Sequence, residues 1–269
     1  MKSALYSCFL TLIIWATLLA CDGTTTYQVK TETIKVDSLN QIIPLNDSLV
    51  RPILYTNIDG LEHLPFYQAK AKFISAILPS ILVAKHQIHN TRTRIENLNK
   101  KVTWTESDSI YYLDMKRRYK AKDVKDLMAR LVTLPNSVVL AQAAIETGWG
   151  ESRFFKQASN LFGIWSFDSN ESRIAAGKNR SEKTIFLRSY EDMSGSIADY
   201  FEVLARHHAY RGLRKARIHT SNPYELLPHL KYYSERKQWY TRELKRVIRQ
   251  NKLTKYDHYR IDPNYLIVE

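Results

Sequence analysis

The sequence predicts a mainly α-helical domain with a small two-stranded β lobe inserted beside a cleft. From Leu61 onward, apolar residues recur at steps of three and four, which is the period of an amphipathic helix. Between about Asn160 and Tyr190 that period fails, and aromatic and β-branched residues gather in two short runs, which favours strands. Helical spacing then resumes. The predicted lobe therefore interrupts one helical domain that spans residues 61–269.

The first twenty residues have the pattern of a secretory signal peptide. Lys2 precedes the apolar run ALYSCFLTLIIWATLLA, which ends at the small residue Ala20, just before Cys21. This run is slightly shorter than the roughly 20 residues that a membrane-spanning helix needs, which disfavours an uncleaved anchor. "LLAC" also resembles the bacterial lipobox, whose cysteine is diacylated. We therefore expect residues 1–20 to be removed, and the protein to be an exported lipoprotein anchored through Cys21, facing the periplasm or cell envelope.

Cysteine and histidine usage limits the possible chemistry. The chain contains only Cys8 and Cys21, and Cys8 lies inside the predicted signal peptide. The mature chain would keep one cysteine, which excludes an intramolecular disulfide and a cysteine-based zinc site or nucleophile. His86 and His89 are three residues apart but lack the glutamate of the zinc-protease pattern. We predict no metal and no cofactor.

Residues 21–60 are rich in Thr, Asp and Asn, and we interpret them as a polar tether. The alternation in YQVKTETIKV also permits a short strand there. Five helical runs follow the tether. Pro79 separates the first two, and Gly148 ends the fifth, which begins with Asn136 or Ser137 as its N-cap. The runs are FYQAKAKFISAIL, SILVAKHQIHNTRTRIENLNKKV, SDSIYYLDMKRRYK, KDVKDLMARL and LPNSVVLAQAAIETG.

The β lobe comes next in the chain, before three further helical runs. Its predicted strands are LFGIWSFD and KTIFLRSY, and a polar segment containing Gly177 separates them. The helices predicted after the lobe are DMSGSIADYFEVLARHH, NPYELLPHL and SERKQWYTRELKRVIRQN. A carboxylate at the end of the preceding helix would then face the lobe across a cleft.

Glu146 is that carboxylate, and its position is chemically unusual. It lies at the end of an alanine-rich run, next to Trp149, where the helix dipole leaves partial negative charge. Loss of solvation and the dipole both favour the protonated form and raise the pKa of the carboxyl group. A carboxylic acid that stays protonated near neutral pH is what a general acid for glycosidic cleavage requires. A solvated glutamate in a fraying last turn is the alternative.

Four sequence blocks resemble the signature blocks of a known family. LAQAAIETGWGESRF, NLFGIW, FLRSY and YYSERKQWYTREL are similar to those of the peptidoglycan-cleaving glucosaminidases of glycoside hydrolase family 73. Within that family the likeness is greatest to Bax-like proteins, and it spans about Leu61 to Leu253. The resemblance implies a lysozyme-like fold and a peptidoglycan substrate. It also implies that Glu146 is the catalytic acid.

The resemblance implies further site residues. Asn160, Phe162 and Gly163 of the NLFG block would line the saccharide groove, and Trp149 and Trp165 would be sugar-binding aromatics. An essential tyrosine of the late helical block corresponds to Tyr233, with Tyr240 as the second choice; the substrate-binding residues implied are Trp149, Asn160, Phe162, Gly163, Trp165 and Tyr240.

The second catalytic group is open at this point. Many family members use a glutamate of the β lobe as base or stabiliser, and Glu182 is the best-placed candidate, ahead of Glu171 and Asp168. Each of these three carboxylates could instead be a solvated charge of a hairpin. A base acting on water would lie roughly 6.5–9.5 Å from Glu146. Assistance by the substrate's N-acetyl group would need only Glu146 and a positioning residue such as Tyr233.

The strongly basic composition does not indicate a nucleic-acid binder. The net charge is +13, and the basic runs RGLRKAR and RELKRVIRQNK are interleaved with leucine or valine at helical spacing. This pattern is typical of a solvated basic face above a core. We expect peptidoglycan glycan strands and a membrane as partners, no nucleic acid, and a monomer.

The expected reaction is hydrolysis of the β-1,4 bond between N-acetylglucosamine and N-acetylmuramic acid. Glu146 would protonate the leaving oxygen. Two alternatives stay open. A lytic transglycosylase would give a 1,6-anhydro product, and a wall-binding lipoprotein without catalysis would be insensitive to Glu146→Gln.

Overall fold

The computed structural model describes residues 26–178 and 184–268, which form a mainly helical domain with small sheets, as predicted. The described residues form nine α-helices. These are α1 (Phe66–Lys100), α2 (Glu106–Arg118), α3 (Val124–Arg130), α4 (Asn136–Thr147), α5 (Arg153–Ala158), α6 (Met193–Arg206), α7 (Arg211–Arg217), α8 (Pro223–Leu226) and α9 (Gln238–Gln250).

The strands are short and form four small sheets. β1 pairs antiparallel with β9, β2 pairs parallel with β4, and β3 pairs parallel with β8. The fourth sheet has the order β5-β7-β6 and is antiparallel. The strands are β1 (Tyr27–Val29), β2 (Glu32–Lys35), β3 (Leu49–Val50), β4 (Ile53–Thr56), β5 (Trp165–Ser166), β6 (Arg173–Lys178), β7 (Thr184–Arg188), β8 (Arg260–Ile261) and β9 (Leu266–Val268).

Helix α1 is the central helix, and it corrects the predicted break at Pro79. The helix continues through Pro79 from Phe66 to Lys100. A proline inside a helix removes one backbone hydrogen bond and costs about 3 kcal/mol. Every residue from Phe73 to Ala84 is buried, and α1 packs against α3, α4 and α6. Burial of this apolar segment offsets the cost of the proline, which local propensity alone does not anticipate.

The predicted polar tether is wrong for residues 27–56. This segment forms β1 to β4, and it pairs with the C-terminal strands β8 and β9. Ile42, Ile53 and Tyr55 are almost fully buried in the main core. The polar composition misled the prediction because the few apolar residues are spaced along short strands, of which β1 and β4 contact α1. Residues 21–25 of the predicted tether lie outside the described residues.

The β lobe has three strands where two were predicted. The polar segment containing Gly177 forms β6, which pairs with β7 over most of its length and has a register shift between Ala175 and Gly177. Residues 179–183, including the candidate Glu182, lie outside the described residues.

The predicted signal peptide and Cys21 also lie outside the described residues. Within residues 26–178 and 184–268, no helix combines the length and the apolar character needed to cross a membrane.

Candidate active site

A cleft of about 840 Å³ lies between the helical body and the β lobe. Helix α4, the loop before β5, helix α6 and the segment before α9 each contribute side chains to it. The lining residues are Lys120, Glu146, Phe162, Gly163, Ile164, Trp165, Phe167, Arg188, Asp199, Tyr200, Glu202, Val203, Arg206, His207, His208 and Tyr233.

Helix α4 carries Glu146 to the cleft from the core. Its residues from Asn136 to Ala144 are all buried, and Gly148 ends the helix with φ +60°. The helix begins at Asn136 with Pro135 as its N-cap, one position from the predicted boundary. The Asn136 side chain is used elsewhere, since its amide donates to the Tyr256 carbonyl at 2.7 Å. Glu146 is therefore in the last turn, at the point where α4 leaves the core.

The glycines around Trp149 have a steric explanation. Gly148, Trp149 and Gly150 all have positive φ, with Gly150 at +96°. A Cβ atom on Gly150 would lie 2.7 Å from the Leu61 side chain, which is closer than packed carbon atoms can approach. The sharp reversal after α4 thus requires glycine at position 150, and it fixes where the helix ends.

A chain of three hydrogen bonds leads from the core to Glu146. Tyr200 donates its hydroxyl proton to Oε1 of Gln142, and Gln142 Nε2 donates to the Tyr240 hydroxyl oxygen at 3.0 Å. The Tyr240 hydroxyl donates to Glu146 Oε1 at 2.9 Å. Gln142 and Glu146 are four residues apart on one face of α4, so both can reach Tyr240 of α9. We call Tyr200, Gln142 and Tyr240 the proton-orienting chain.

The proton-orienting chain determines which Glu146 oxygen can carry a proton. A phenol has one proton, and the Tyr240 proton points to Oε1 of Glu146. When Glu146 is protonated, its own proton is therefore placed on Oε2, away from Tyr240. Tyr200, Gln142 and Tyr240 are almost completely buried, so solvent does not compete for these hydrogen bonds.

The pKa of Glu146 is raised above its ordinary value, chiefly because burial disfavours the charged carboxylate. The hydrogen bond from Tyr240 and the charge of Arg236 oppose this shift, while Glu243 adds to it. Glu146 is nevertheless exposed by surface area, because its side chain opens on the cleft. The raised pKa and the exposed side chain are compatible, because water reaches the carboxyl group from the cleft side and protein surrounds it elsewhere. The direction matches the sequence-based expectation.

Tyr240 lies beside Glu146 and Tyr233 lines the cleft, which is the reverse of the positions expected for them. Tyr240, expected to touch substrate, is 0% exposed and reaches only Glu146 and Gln142 among the described hydrogen-bond partners. Tyr233 lines the cleft, its ring stacks on Tyr240 at 5.7 Å, and its hydroxyl donates to the Phe162 carbonyl at 3.4 Å. Burial raises the pKa of the Tyr233 hydroxyl, so it is a neutral hydrogen-bond donor at physiological pH.

The NLFG block forms the floor of the cleft, although Asn160 does not reach it. Asn160 is 2% exposed, and its amide nitrogen donates to the carbonyls of Ile164 and Arg188 at 3.1 and 2.8 Å. This clamp holds the loop in which Phe162 stacks on Tyr200 at 4.2 Å. Gly163, with φ +62°, leaves open space at the cleft surface. Asn160 therefore shapes the groove without lining it.

The two tryptophans differ in their placement. Trp165 of β5 lines the cleft, is 52% exposed and lies 6.0 Å from the ring of Phe167. Trp149 is absent from the cleft lining formed by the described residues. It packs edge-on against Phe73 at 5.5 Å, and the Lys70 ammonium lies over its ring. The sugar-binding role expected for Trp149 is therefore not supported by its position, whereas Trp165 offers an accessible aromatic face.

The other carboxylates near the cleft are neutralised by cations. Asp199 accepts hydrogen bonds from Arg188 at 2.6 Å and Tyr190 at 2.8 Å. Glu202 pairs with Arg118 and Arg206. Glu171, a candidate second group, pairs with Arg188 at 2.9 Å, and a hydrogen bond from Ser166 is the main cause that lowers its pKa.

Among the described lining residues, Glu146 is thus the carboxylate that takes no part in an ion pair. Asp168 lies outside the cleft lining, is exposed, and accepts a hydrogen bond from the Asn170 backbone. Glu182 lies outside the described residues, so its distance from Glu146 is not defined by the structure.

Sequence reasoning missed Gln142, Tyr200 and Phe167. Gln142 could have been predicted as a site residue. It is a polar residue four positions before Glu146 inside a buried alanine-rich helix, and such a residue requires a hydrogen-bond partner. Tyr200 lies in the predicted helix DMSGSIADYFEVLARHH, whose sequence does not distinguish it from the other core residues. It is a core residue, and its hydroxyl is also the first donor of the proton-orienting chain.

Residues 121–253 match the family model described as mannosyl-glycoprotein endo-beta-N-acetylglucosaminidase. The chain is 26% identical over 156 residues to the protein bax of Escherichia coli, a match that covers 55% of each chain. It is 34% identical over 103 residues to the peptidoglycan hydrolase FlgJ of Vibrio cholerae, which covers 34% of this chain and 30% of FlgJ. The chain thus spans about half the length, or less, of these curated relatives.

Two solved structures are similar to part of the chain. The glycoside hydrolase domain of Salmonella typhimurium FlgJ has a TM-score of 0.38 at 21% identity, covering 53% of this chain and 89% of that one. The catalytic domain of the Listeria monocytogenes autolysin Auto has a TM-score of 0.39 at 20% identity, with 62% and 96% covered. The family match and the curated relatives give the identification: residues 121–253 form a domain of the glucosaminidase family.

Proposed function

We propose that the cleft hydrolyses the β-1,4 bond between N-acetylglucosamine and N-acetylmuramic acid in peptidoglycan, with Glu146 as general acid. One observation carries this proposal. Glu146 is the unpaired carboxylate of the described cleft, and a buried donor chain ending at Tyr240 fixes its geometry. The relatives named peptidoglycan hydrolases support the choice of polymer.

The proton-orienting chain suits a general acid for two reasons. Tyr240 holds Oε1, so the acidic proton on Oε2 is free to move to the glycosidic oxygen as the bond to the anomeric carbon breaks. Burial raises the pKa of Glu146, so a larger fraction of the enzyme carries that proton near neutral pH. The electron pair of the broken bond stays on the protonated leaving oxygen, and water then adds to the anomeric carbon.

The β lobe supplies the binding surface in this proposal. Trp165 and Phe167 present exposed ring faces at the mouth of the cleft, where the C–H face of a sugar can pack. Gly163 leaves room for the glycan beside the Phe162 ring. Tyr233 donates only weakly to the Phe162 carbonyl, so its hydroxyl can turn to a substrate oxygen.

Two groups can provide the second step. Glu182 would act as a base on water, and the substrate's own N-acetyl oxygen would otherwise attack the anomeric carbon. The ion pairs of Asp199, Glu202 and Glu171 make these carboxylates poorer bases than either. The variant Glu182→Gln separates the two routes. Loss of most activity supports the base, and retention within about threefold supports N-acetyl assistance.

Product analysis tests the proposed reaction. Purified sacculi are digested with the wild-type chain and with Glu146→Gln, and the released muropeptides are identified by mass spectrometry after borohydride reduction. Reduced N-acetylglucosamine ends, absent from the Glu146→Gln digest, are the expected result. Reduced N-acetylmuramic acid ends would refute the bond assignment, and 1,6-anhydro ends would show a lytic transglycosylase. Equal release by both proteins would refute the role of Glu146.

We also propose that the chain is exported and lipidated on Cys21, on the strength of the LLAC pattern alone. Cells expressing the chain are grown with radiolabelled palmitate, beside a Cys21→Ala variant. Label that depends on Cys21 is expected. Equal labelling of the two chains, or no label in either, would contradict lipidation.

A further inference from the structure

A second cavity lies on the face formed by α1, α3 and α7, and it shares no lining residue with the cleft. Its volume is about 530 Å³. An adjoining cavity of about 270 Å³ shares four of its lining residues, namely Lys85, Val132, Thr133 and Arg217. The two depressions are thus joined through Lys85 and Arg217. We call the larger one the basic cavity.

The charges that line the basic cavity are of one sign. They are the cations Lys85, Arg92, Lys125 and Arg217, with His89 beside them, and no aspartate or glutamate is among the described lining residues. The adjoining cavity contains Asp257, whose carboxylate accepts two hydrogen bonds from Ser137, at 2.7 and 2.8 Å. Four cations in a concave, low-dielectric wall concentrate positive potential there.

Arg217 is the most unusual of these cations. It is 6% exposed, and its Nε and Nη2 atoms have no hydrogen-bond partner among the described residues. Arg214, on the same helix and 8% exposed, is a direct contrast, because it donates to the carbonyls of Leu204 and His207 at 3.0 and 2.9 Å. An unpaired buried charge destabilises the fold, and a bound anion would compensate it.

Burial in the wall of the cavity also changes the pKa values of two of these cations. Burial lowers the pKa of Arg217 to about 10 and that of Lys85 to about 8. Lys85 still donates to Asn136 Oδ1 at 2.6 Å. A negative charge bound between these groups would favour both charged forms.

The two unpartnered nitrogens of Arg217 identify the ligand chemistry. Nε and Nη2 form one edge of the guanidinium plane, the edge that donates two parallel hydrogen bonds to the oxygens of a planar or tetrahedral oxyanion. Four cations without a lining carboxylate match a phosphate, which carries up to two negative charges, better than a single carboxylate. Ile88, Met128 and Leu131 add an apolar wall beside the cations.

We propose that the basic cavity is a phosphate-binding site in which Arg217 turns its Nε–Nη2 edge, buried in this structure, to a phosphate group, with Lys85, Arg92 and Lys125 contributing charge. The phosphate belongs to a lipid headgroup or to a soluble phosphate compound, since both present the same oxygens. The site is separate from the proposed glycosidase chemistry and stands or falls independently of it.

Isothermal titration of the full chain with inorganic phosphate, at constant ionic strength set by chloride, tests the site. Saturable binding of phosphate is expected for the wild type, and the affinity of Arg217→Gln should be at least about tenfold lower. Lys100→Gln removes the same charge at the end of α1, outside the lining, and is expected to bind phosphate within about twofold of wild type. No saturable binding in the wild type, or equal binding in Arg217→Gln, would overturn the proposal.

Arg217 is buried, so a second variant guards against misfolding. Lys125 is exposed, and Lys125→Gln leaves the core unchanged. The phosphate affinity of Lys125→Gln is expected to fall about threefold. If circular dichroism shows that Arg217→Gln is unfolded, a Lys125→Gln affinity equal to that of the wild type would overturn the proposal.

The source of the phosphate is decided by a vesicle arm. The full chain is sedimented with phosphatidylglycerol vesicles and with phosphatidylcholine vesicles. If the wild type sediments with phosphatidylglycerol vesicles and Lys125→Gln and Arg217→Gln do not, the phosphate belongs to a lipid headgroup. If the chain binds free phosphate but does not sediment with these vesicles in that way, the ligand is a soluble phosphate.

Discussion

The two walls of the cleft are built in opposite ways. The helical wall holds Glu146 through the almost fully buried residues Gln142, Tyr200 and Tyr240, each of which has its hydrogen bonds satisfied by the next. The β lobe is a thin three-stranded sheet whose aromatic residues Trp165 and Phe167 are 52% and 85% exposed. Rigid, desolvated groups suit proton transfer, whereas exposed ring faces suit reversible contact with a sugar.

This contrast separates the expected effects of mutation. Changes in the helical wall alter the protonation and orientation of Glu146, so they act on kcat and on the pH profile. Changes in the lobe alter ground-state contacts with the glycan, so they act on KM.

Replacement of the acid itself gives the largest expected effect. Glu146→Gln should lower kcat for sacculus digestion by about a thousandfold, because general acid catalysis contributes 10² to 10⁴ in rate. Thermal melting is the control. The pKa of Glu146 is raised by folding, so its contribution to stability is lost as pH rises through that pKa. At pH 7 the Glu146→Gln variant should therefore melt at the wild-type temperature or higher. A much lower melting temperature would mean that the loss of kcat reflects unfolding and not the missing acid.

The second-largest effect is expected from the proton-orienting chain. Tyr240→Phe should lower kcat about 10- to 100-fold, since the carboxyl group loses its orientation. The hydrogen bond from Tyr240 lowers the pKa of Glu146, so its removal raises that pKa and moves the falling limb of the kcat–pH profile to higher pH. Tyr112→Phe, which removes a hydroxyl outside the cleft lining, should leave the profile unchanged. A Tyr240→Phe profile that moves to lower pH would contradict the arrangement.

In the β lobe, Trp165→Ala should raise KM about tenfold and change kcat less than about threefold, because it removes stacking surface without touching Glu146. Trp239 is a matched control, since it is 71% exposed and lies outside the described cleft lining. Trp239→Ala should leave both constants unchanged. An effect of Trp165→Ala on kcat alone would show that the two walls are not separable in this way.

The smallest predicted effect comes from Arg236. Its charge lowers the pKa of Glu146 from an exposed position, where solvent screens it. Arg236→Gln should move the falling limb slightly to higher pH, and salt should reduce the difference. The kcat–pH profile at low and high ionic strength measures both. A shift to lower pH would contradict the assignment of this charge.

Local patterns predicted the fold where they agreed with burial. The mainly helical class is confirmed, and Gly148 ends α4 as expected because a left-handed C-cap needs glycine. The break at Pro79 failed because burial of α1 outweighs the proline penalty. The tether over residues 27–56 failed because parallel pairing of β2 with β4 and of β3 with β8 joins segments that sequence periodicity treats separately.

The site was predictable to the extent that it is local in sequence. Glu146 and the turn after it are adjacent residues, and the raised pKa follows from burial at a helix end. The proton-orienting chain joins α4, α6 and α9, residues separated by 58 and 98 positions, and no short-range pattern reports such contacts. Trp149 shows the opposite failure, because a motif residue expected at the sugar turns into the core against Phe73.

The central claim is that Glu146 keeps its proton in the folded enzyme to a higher pH than an ordinary glutamate does. Carbon-13 NMR of the side-chain carboxyl groups, followed from pH 3 to 9 and assigned by comparison with Glu146→Gln, measures this directly. We expect a Glu146 pKa clearly above the usual range for glutamate, rising further in Tyr240→Phe. A Glu146 signal that titrates at or below that range, unmoved by Tyr240→Phe, would contradict the claim.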